Sequence, residues 1–136
     1  MILVDSTIWN AAKSKRDRTH ESARKTLGKI MGGAYGKPAI TDYIMDGVLT
    51  WLNARATHKL AVETADFFFT SDLMEVIKVD WAVLREALEL FKKHDFLSFT
   101  DATTATVAKI KGIKDIATFD EDFSKLGFNV VGGEHT

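Results

Sequence analysis

The sequence predicts an α/β protein, a parallel sheet flanked by helices. Three observations carry this. Strand and helix signals alternate along the chain, short apolar runs such as "ILVD" and "DIATFD" end in acids, and the intervening stretches repeat apolar residues at helical spacing. Strands separated in this way join side by side through crossovers, which makes their pairing parallel.

The first strand is read at 2–5, "ILVD", inside a start, "MILVDSTIW", that has no basic leader before its apolar stretch and so does not read as a signal peptide. A helix is predicted from about Thr19 to Met31, and "GGAYG" then breaks the chain. "KPAI" leads into a helix that opens on Thr41 as N-cap and repeats Ile44, Val48, Trp51 and Leu52. A further helix over about 58–70 carries Leu60, Ala61, Thr64, Ala65, Phe68 and Phe69 on one face. "EVIKVD" (75–80) is predicted as a strand, and "WAVLREALELFKKH" as an amphipathic helix with Leu84, Leu88 and Phe91 on its inner stripe. "LSFTDATTATVAKIKG" is predicted as a helix closing at Gly112, before two last strands in "DIATFD" and "FNVVGG".

With 136 residues, 46% hydrophobic and 27% charged, the chain is expected to form one domain over 1–136 with a real core. The absence of cysteine removes disulfides, thiol catalysis and thiolate metal sites, and fits a cytoplasmic protein. No apolar run reaches membrane-spanning length, and "ADFFFT" is far too short. A net charge of −1 gives no overall attraction to nucleic acid, so such a partner needs a local basic patch. "KSKRDR", with Lys13, Lys15, Arg16 and Arg18, is the clearest one, and it reads equally as a solvated loop.

Ligands of open α/β sheets bind beyond the carboxyl ends of the strands. Asp5 ends the first strand, Asp120 ends "IATF", and Asp101 opens a helix after "LSFT". Each alone reads equally as a cap or a turn former. Together they repel, and a hard divalent cation such as Mg²⁺ or Mn²⁺ relieves that repulsion with oxygen ligands. The histidines (20, 58, 94 and 135) are scattered without paired spacing, which argues against zinc. No G-x-G-x-x-G follows the first strand, and neither a phosphate-binding G-x-x-x-x-G-K-[ST] nor a G-x-S-x-G elbow occurs. "DSTIW" has Thr7 where a phosphoaspartate hydrolase of the haloacid dehalogenase type carries a second aspartate. Metal-dependent cleavage of phosphodiesters is the best remaining chemistry.

At this point "ILVDSTIW", "TDYIMD", "LSFTDATTA" and "ATFDEDFSKLGF", in this order, resemble the PIN-domain family, and within it the branch of VapC-type toxin ribonucleases. The resemblance covers nearly the whole chain. It implies a three-layer α/β/α fold with a parallel sheet of about five strands, and Mg²⁺- or Mn²⁺-dependent cleavage of RNA at a small acidic site. It also implies a homodimer and a small antitoxin partner. Asp5, Asp101 and Asp120 match the family's acids. Asp122 is a further carboxylate for the metal or, equally, a helix-start acid. Ser6 and Thr118 sit beside the acids, either orienting them or standing as plain strand-end hydroxyls.

One position departs from the branch. Its members carry a glutamate directly after the aspartate of "TDYIMD", and here that position is Gly47. Mid-helix glycine costs about 1 kcal/mol relative to alanine, so either close helix packing or a vacated carboxylate seat must explain it. Asp46 lies about 100° around the helix and is an imperfect substitute as a catalytic acid. Three readings stay open: a natural variant in which Asp46 or a water fills the gap, a degenerate member that binds without cutting, and an inactivating change. The function expected is therefore a PIN-type endoribonuclease, with activity reduced or lost in the latter two cases. Its rivals are a non-catalytic RNA- or partner-binding module and a metal-dependent phosphatase.

Overall fold

The computed structural model describes residues 1–132, which leaves His135 outside. Its five strands are β1 (Ile2–Val4), β2 (Pro38–Thr41), β3 (Glu75–Ile77), β4 (Asp115–Ala117) and β5 (Asn129–Val131). All neighbours pair in parallel, in the order β3-β2-β1-β4-β5. The helices are α1 (Ser6–Lys13), α2 (His20–Met31), α3 (Asp42–Arg55), α4 (His58–Thr70), α5 (Trp81–Lys93) and α6 (Phe99–Lys111), and a 3-10 helix spans Glu121–Leu126.

Alternation along the strands sorts these helices into two layers. Ile2, Val4 and Ile40 point to one face, where Ile8 and Trp9 of α1, Ile30 of α2, Ile44, Val48 and Leu52 of α3, and Phe68 of α4 pack on them. Leu3, Ala39 and Ile116 point to the other, against Val83 of α5, Ala105 and Ala108 of α6, and Phe123 of the 3-10 helix. The inner strands β1, β2 and β4 are buried on both faces, as a covered parallel sheet requires, and the expected three-layer α/β/α arrangement is what the chain adopts.

The topology also fixes where a site belongs. β1 lies centrally, the chain winds to β2 and β3 on one side, then returns to β4 and β5 on the other. The switch point is the crevice beyond the carboxyl ends of β1 and β4. Asp5 follows β1 there, and Thr118 follows β4.

Two expectations are corrected. The reading of "MILVDSTIW" as strand missed α1, an eight-residue helix that starts directly after Asp5 and buries Ile8, Trp9, Ala11 and Ala12. On α5 the buried stripe is Val83 and Ala87, whereas Leu88 and Phe91 are exposed. Apolar residues there cover more than one face, and Phe91 instead stacks edge-on against Phe99 with ring centroids 5.6 Å apart.

Candidate active site

Asp5 is buried at the start of α1, yet its carboxylate caps nothing. Its Oδ2 instead accepts two hydroxyls, from Thr118 at 2.8 Å and from Thr7 at 3.0 Å. Those hydroxyls are themselves fixed by the backbone beyond β4. The Asp120 N–H donates to Thr118 Oγ1 at 2.9 Å, and the Phe119 N–H donates to Thr7 Oγ1 at 3.1 Å. Two parallel relays thus run from successive peptide groups to one carboxylate oxygen, and they tie the end of β1 to the end of β4. The expected hydroxyl partners were Ser6 and Thr118. Thr118 holds, but the second hydroxyl belongs to Thr7, while Ser6 contributes its backbone group.

Asp101 stands in the first turn of α6, and it is not the cap. Ser98 caps that helix by accepting the Asp101 N–H at 3.0 Å, and the Asp101 carboxylate in turn takes hydrogen bonds from Ser98. Asp5 and Asp101 line one cavity of about 650 Å³, together with Ser6, Asp42, Asp46 and Gly47. Asp42 is a wall residue that sequence reasoning missed. Its Oδ1 accepts the Val79 N–H at 2.9 Å and so pins the start of α3 to the chain after β3. Asp120 is not part of this wall. One of its oxygens caps the 3-10 helix by accepting the Asp122 N–H at 2.9 Å.

The acids nevertheless feel one another. Burial pushes the Asp5 carboxyl up, against the pull of the Thr118, Thr7 and Ser6 hydrogen bonds, and the Asp120 charge pushes the same way. Asp101 is pushed up to about 6 by burial and by the charges of Asp5 and Asp120, with Ser98 opposing. Among the described residues the ion pairs are Arg24–Glu21, Lys92–Glu89 and Lys125–Asp122, so Asp5, Asp101 and Asp120 stand outside any ion pair, although Asp120 feels the charge of Lys125. Asp122 does have one, Lys125 Nζ at 2.7 Å, which competes with any role at a metal.

A hard divalent cation fits this donor set, which is all oxygen, mutually repelling and outside any ion pair. The fit rests on charge and not on a finished shell. Among the described residues no three acidic or histidine side chains already stand close enough together to hold an ion.

Gly47 faces open space. A Cβ built there would meet nothing within 4 Å, so close helix packing does not explain the glycine. Asp46 lines the same cavity, with Oδ1 accepting the Thr50 hydroxyl at 3.5 Å, and is better placed than its angle on the helix implied.

Comparison with known proteins places the chain in a family. The PIN domain family matches residues 2–129. The 23S rRNA-specific endonuclease VapC20 of Mycobacterium tuberculosis is 32% identical over 133 residues, covering 94% of this chain and 95% of that protein. The VapC ribonuclease of Archaeoglobus fulgidus is 29% identical over 126 residues, covering 90% of this chain and 78% of its own. The crystal structure of M. tuberculosis VapC20, a sarcin–ricin loop cleaving toxin, superposes with a TM-score of 0.85 at 29% identity over 95% of this chain and 97% of that one. VapBC2 from Rickettsia felis, bound to a DNA fragment from its promoter, shares the fold at a TM-score of 0.71 and 15% identity, over 96% of this chain and 97% of its own.

Proposed function

This chain belongs to the PIN domain family, and from that premise we propose that it is a Mg²⁺- or Mn²⁺-dependent endoribonuclease, the toxin of a toxin–antitoxin pair. The observation that carries this is the mutual repulsion of Asp5, Asp101 and Asp120 at the sheet's switch point, with none of the three in an ion pair among the described residues. VapC ribonucleases related over nearly the full chain support it.

Asp5, Asp101 and Asp120 would hold the cation, with Asp46 at the wall and Asp122 at the margin. When bound, the cation supplies transition-state charge stabilisation and a more acidic water. The protein's own part is positioning. Thr7 and Thr118 hold one oxygen of Asp5, which fixes the carboxylate plane. Ser98 caps α6 and, by hydrogen-bonding the Asp101 carboxylate, orients it toward the cavity that both line. The basic loop 13–18 would guide phosphates toward the acids.

Gly47 bears on how much activity remains. In our reading it is the vacated glutamate seat, and Asp46, in the same wall, is the acid available in its place. The same vacancy is the observation that favours the second reading, a PIN-like module that binds RNA or a partner without cutting. A homodimer, a small antitoxin partner and a cytoplasmic location belong to the proposal. Among the described residues no helix is long and apolar enough to cross a membrane.

The test is incubation with an internally labelled RNA, first a sarcin–ricin loop hairpin because VapC20 cleaves that loop, with Mn²⁺ or with chelator. Internal, metal-dependent cuts that Asp5→Asn abolishes are expected. Retention of the RNA without cuts supports the binding module, and release of terminal phosphate alone supports a phosphatase.

A further inference from the structure

A second cavity of about 650 Å³ adjoins the acidic one, lined by Thr7, Asn10, Asp17, Arg18, Trp51 and Phe119 among others. Three links place it beside the acids. Thr7 lines it while donating to Asp5. Phe119, at its wall, follows Thr118 and donates its N–H to Thr7. On α3, Gly47 fronts the acidic cavity and Trp51 fronts this one, four residues and about 6 Å further along the same helix face.

The lining has a definite chemistry. Its charged residues are one cation, Arg18, and one anion, Asp17, so a phosphate gains little net attraction inside. Trp51 and Phe119 are half-buried and offer aromatic surface to a flat group. Aromatic walls beside a strand-binding site are how proteins hold nucleobases out of the stack, and a base is flat and uncharged, as this lining asks.

We propose that this cavity is a base-binding subsite, in which Trp51 and Phe119 hold the nucleobase next to the scissile phosphate and Asp17 receives an edge N–H group. Arg18, exposed at the rim, takes the flanking phosphate. The proposal rests on the ribonuclease reading for its substrate, but its test uses binding and needs no cleavage.

The experiment measures binding of a short single-stranded RNA, and of an abasic ribose-phosphate chain of equal length, by fluorescence anisotropy in chelator. Trp51→Ala is expected to weaken RNA binding about tenfold or more and to leave abasic binding unchanged, since base stacking is what is lost. Trp51→Phe, which keeps a ring, should retain most of the affinity. Arg18→Ala, on the surface and safe for folding, should weaken both ligands alike. Should Trp51→Ala melt at the assay temperature, Phe119→Leu decides the matter: it keeps an apolar side chain, removes the ring, and should weaken RNA binding while leaving abasic binding unchanged. Equal losses on RNA and abasic chain, or no loss on either, overturn the subsite. RNA bound with this pattern but never cut in Mn²⁺ overturns the ribonuclease reading and leaves the subsite standing.

Discussion

The Thr118 hydroxyl donates to Asp5 Oδ2 at 2.8 Å across 113 positions of sequence, and this bond joins the two strands that flank the switch point. The carboxylate is buried, and its companion donor, Thr7, reaches the same oxygen. Thr118→Val keeps the shape and removes the donor, so the buried acceptor loses about 1–3 kcal/mol of compensation. We expect that loss in urea unfolding at neutral pH, with at least a tenfold fall in cleavage as Asp5 loses its orientation. Thr118→Ser should recover most of both.

Asp101 gives the protein a pH dependence of defined sign. Its ordinary value of 3.8 rises to about 6 in the fold, so the folded state binds the proton more tightly. The resulting stabilisation is complete below 3.8 and is lost as the pH rises through about 6. Asp5, also raised, acts in the same direction. Asp101→Asn removes the penalty. A shift of this size at full burial corresponds to about 3 kcal/mol, but Asp101 is only half-buried and solvent screens it, so about 1 kcal/mol is expected. Metal-free Asp101→Asn should therefore unfold at higher denaturant than the wild type at pH 8, with the difference closing toward pH 4.

Much of the fold could be read from the sequence, because its devices are local. Thr41 caps α3 as expected, accepting the Ile44 N–H at 3.0 Å, and Gly112 closes α6 in the left-handed conformation. α1 was missed because Ile8 and Trp9 continue the apolar run of β1, and a helix of eight residues shows little more than two turns of period. The acids Asp5, Asp101 and Asp120 were readable from their places at strand ends and a helix start. Their hydroxyl partner Thr7 was not, since its bonds depend on how β1 and β4 pair. Asp42 and the Trp51–Phe119 cavity were hidden for the same reason: their partners lie far along the chain. Of the apolar stretch "ADFFFT", Phe68 is buried and stacks edge-on against Trp9 at 4.9 Å, whereas Phe69 is 76% exposed, a split that depends on which face of α4 meets the sheet.

Divalent metal should stabilise the wild type, since a cation neutralises carboxylates that raise one another's pKa. A ligand at one hundred times its Kd contributes about 2.7 kcal/mol, several degrees in Tm for a chain of this size. Mg²⁺ or Mn²⁺ should produce such a rise in a thermal scan, reduced in Asp101→Asn. Equal rises in both proteins would mean nonspecific binding.

Gly47→Glu should increase metal-dependent cleavage by about 10²–10⁴, the usual worth of a positioned catalytic carboxylate. The open space at Gly47 lets the side chain enter without a clash. A better helix former should also add several tenths of a kcal/mol, provided metal offsets the new charge. Asp46→Asn is the control. If it destroys activity while Gly47→Glu changes nothing, Asp46 is the site acid.

The most direct measurement is the product pattern of an internally labelled RNA treated with wild type, Gly47→Glu and Asp101→Asn, each with Mn²⁺ and with chelator. Internal cuts that need Mn²⁺, strengthen in Gly47→Glu and vanish in Asp101→Asn are the predicted result. Cuts that persist in chelator or in Asp101→Asn, or no cuts by either wild type or Gly47→Glu, would contradict a metal-dependent ribonuclease built on Asp5, Asp101 and Asp120.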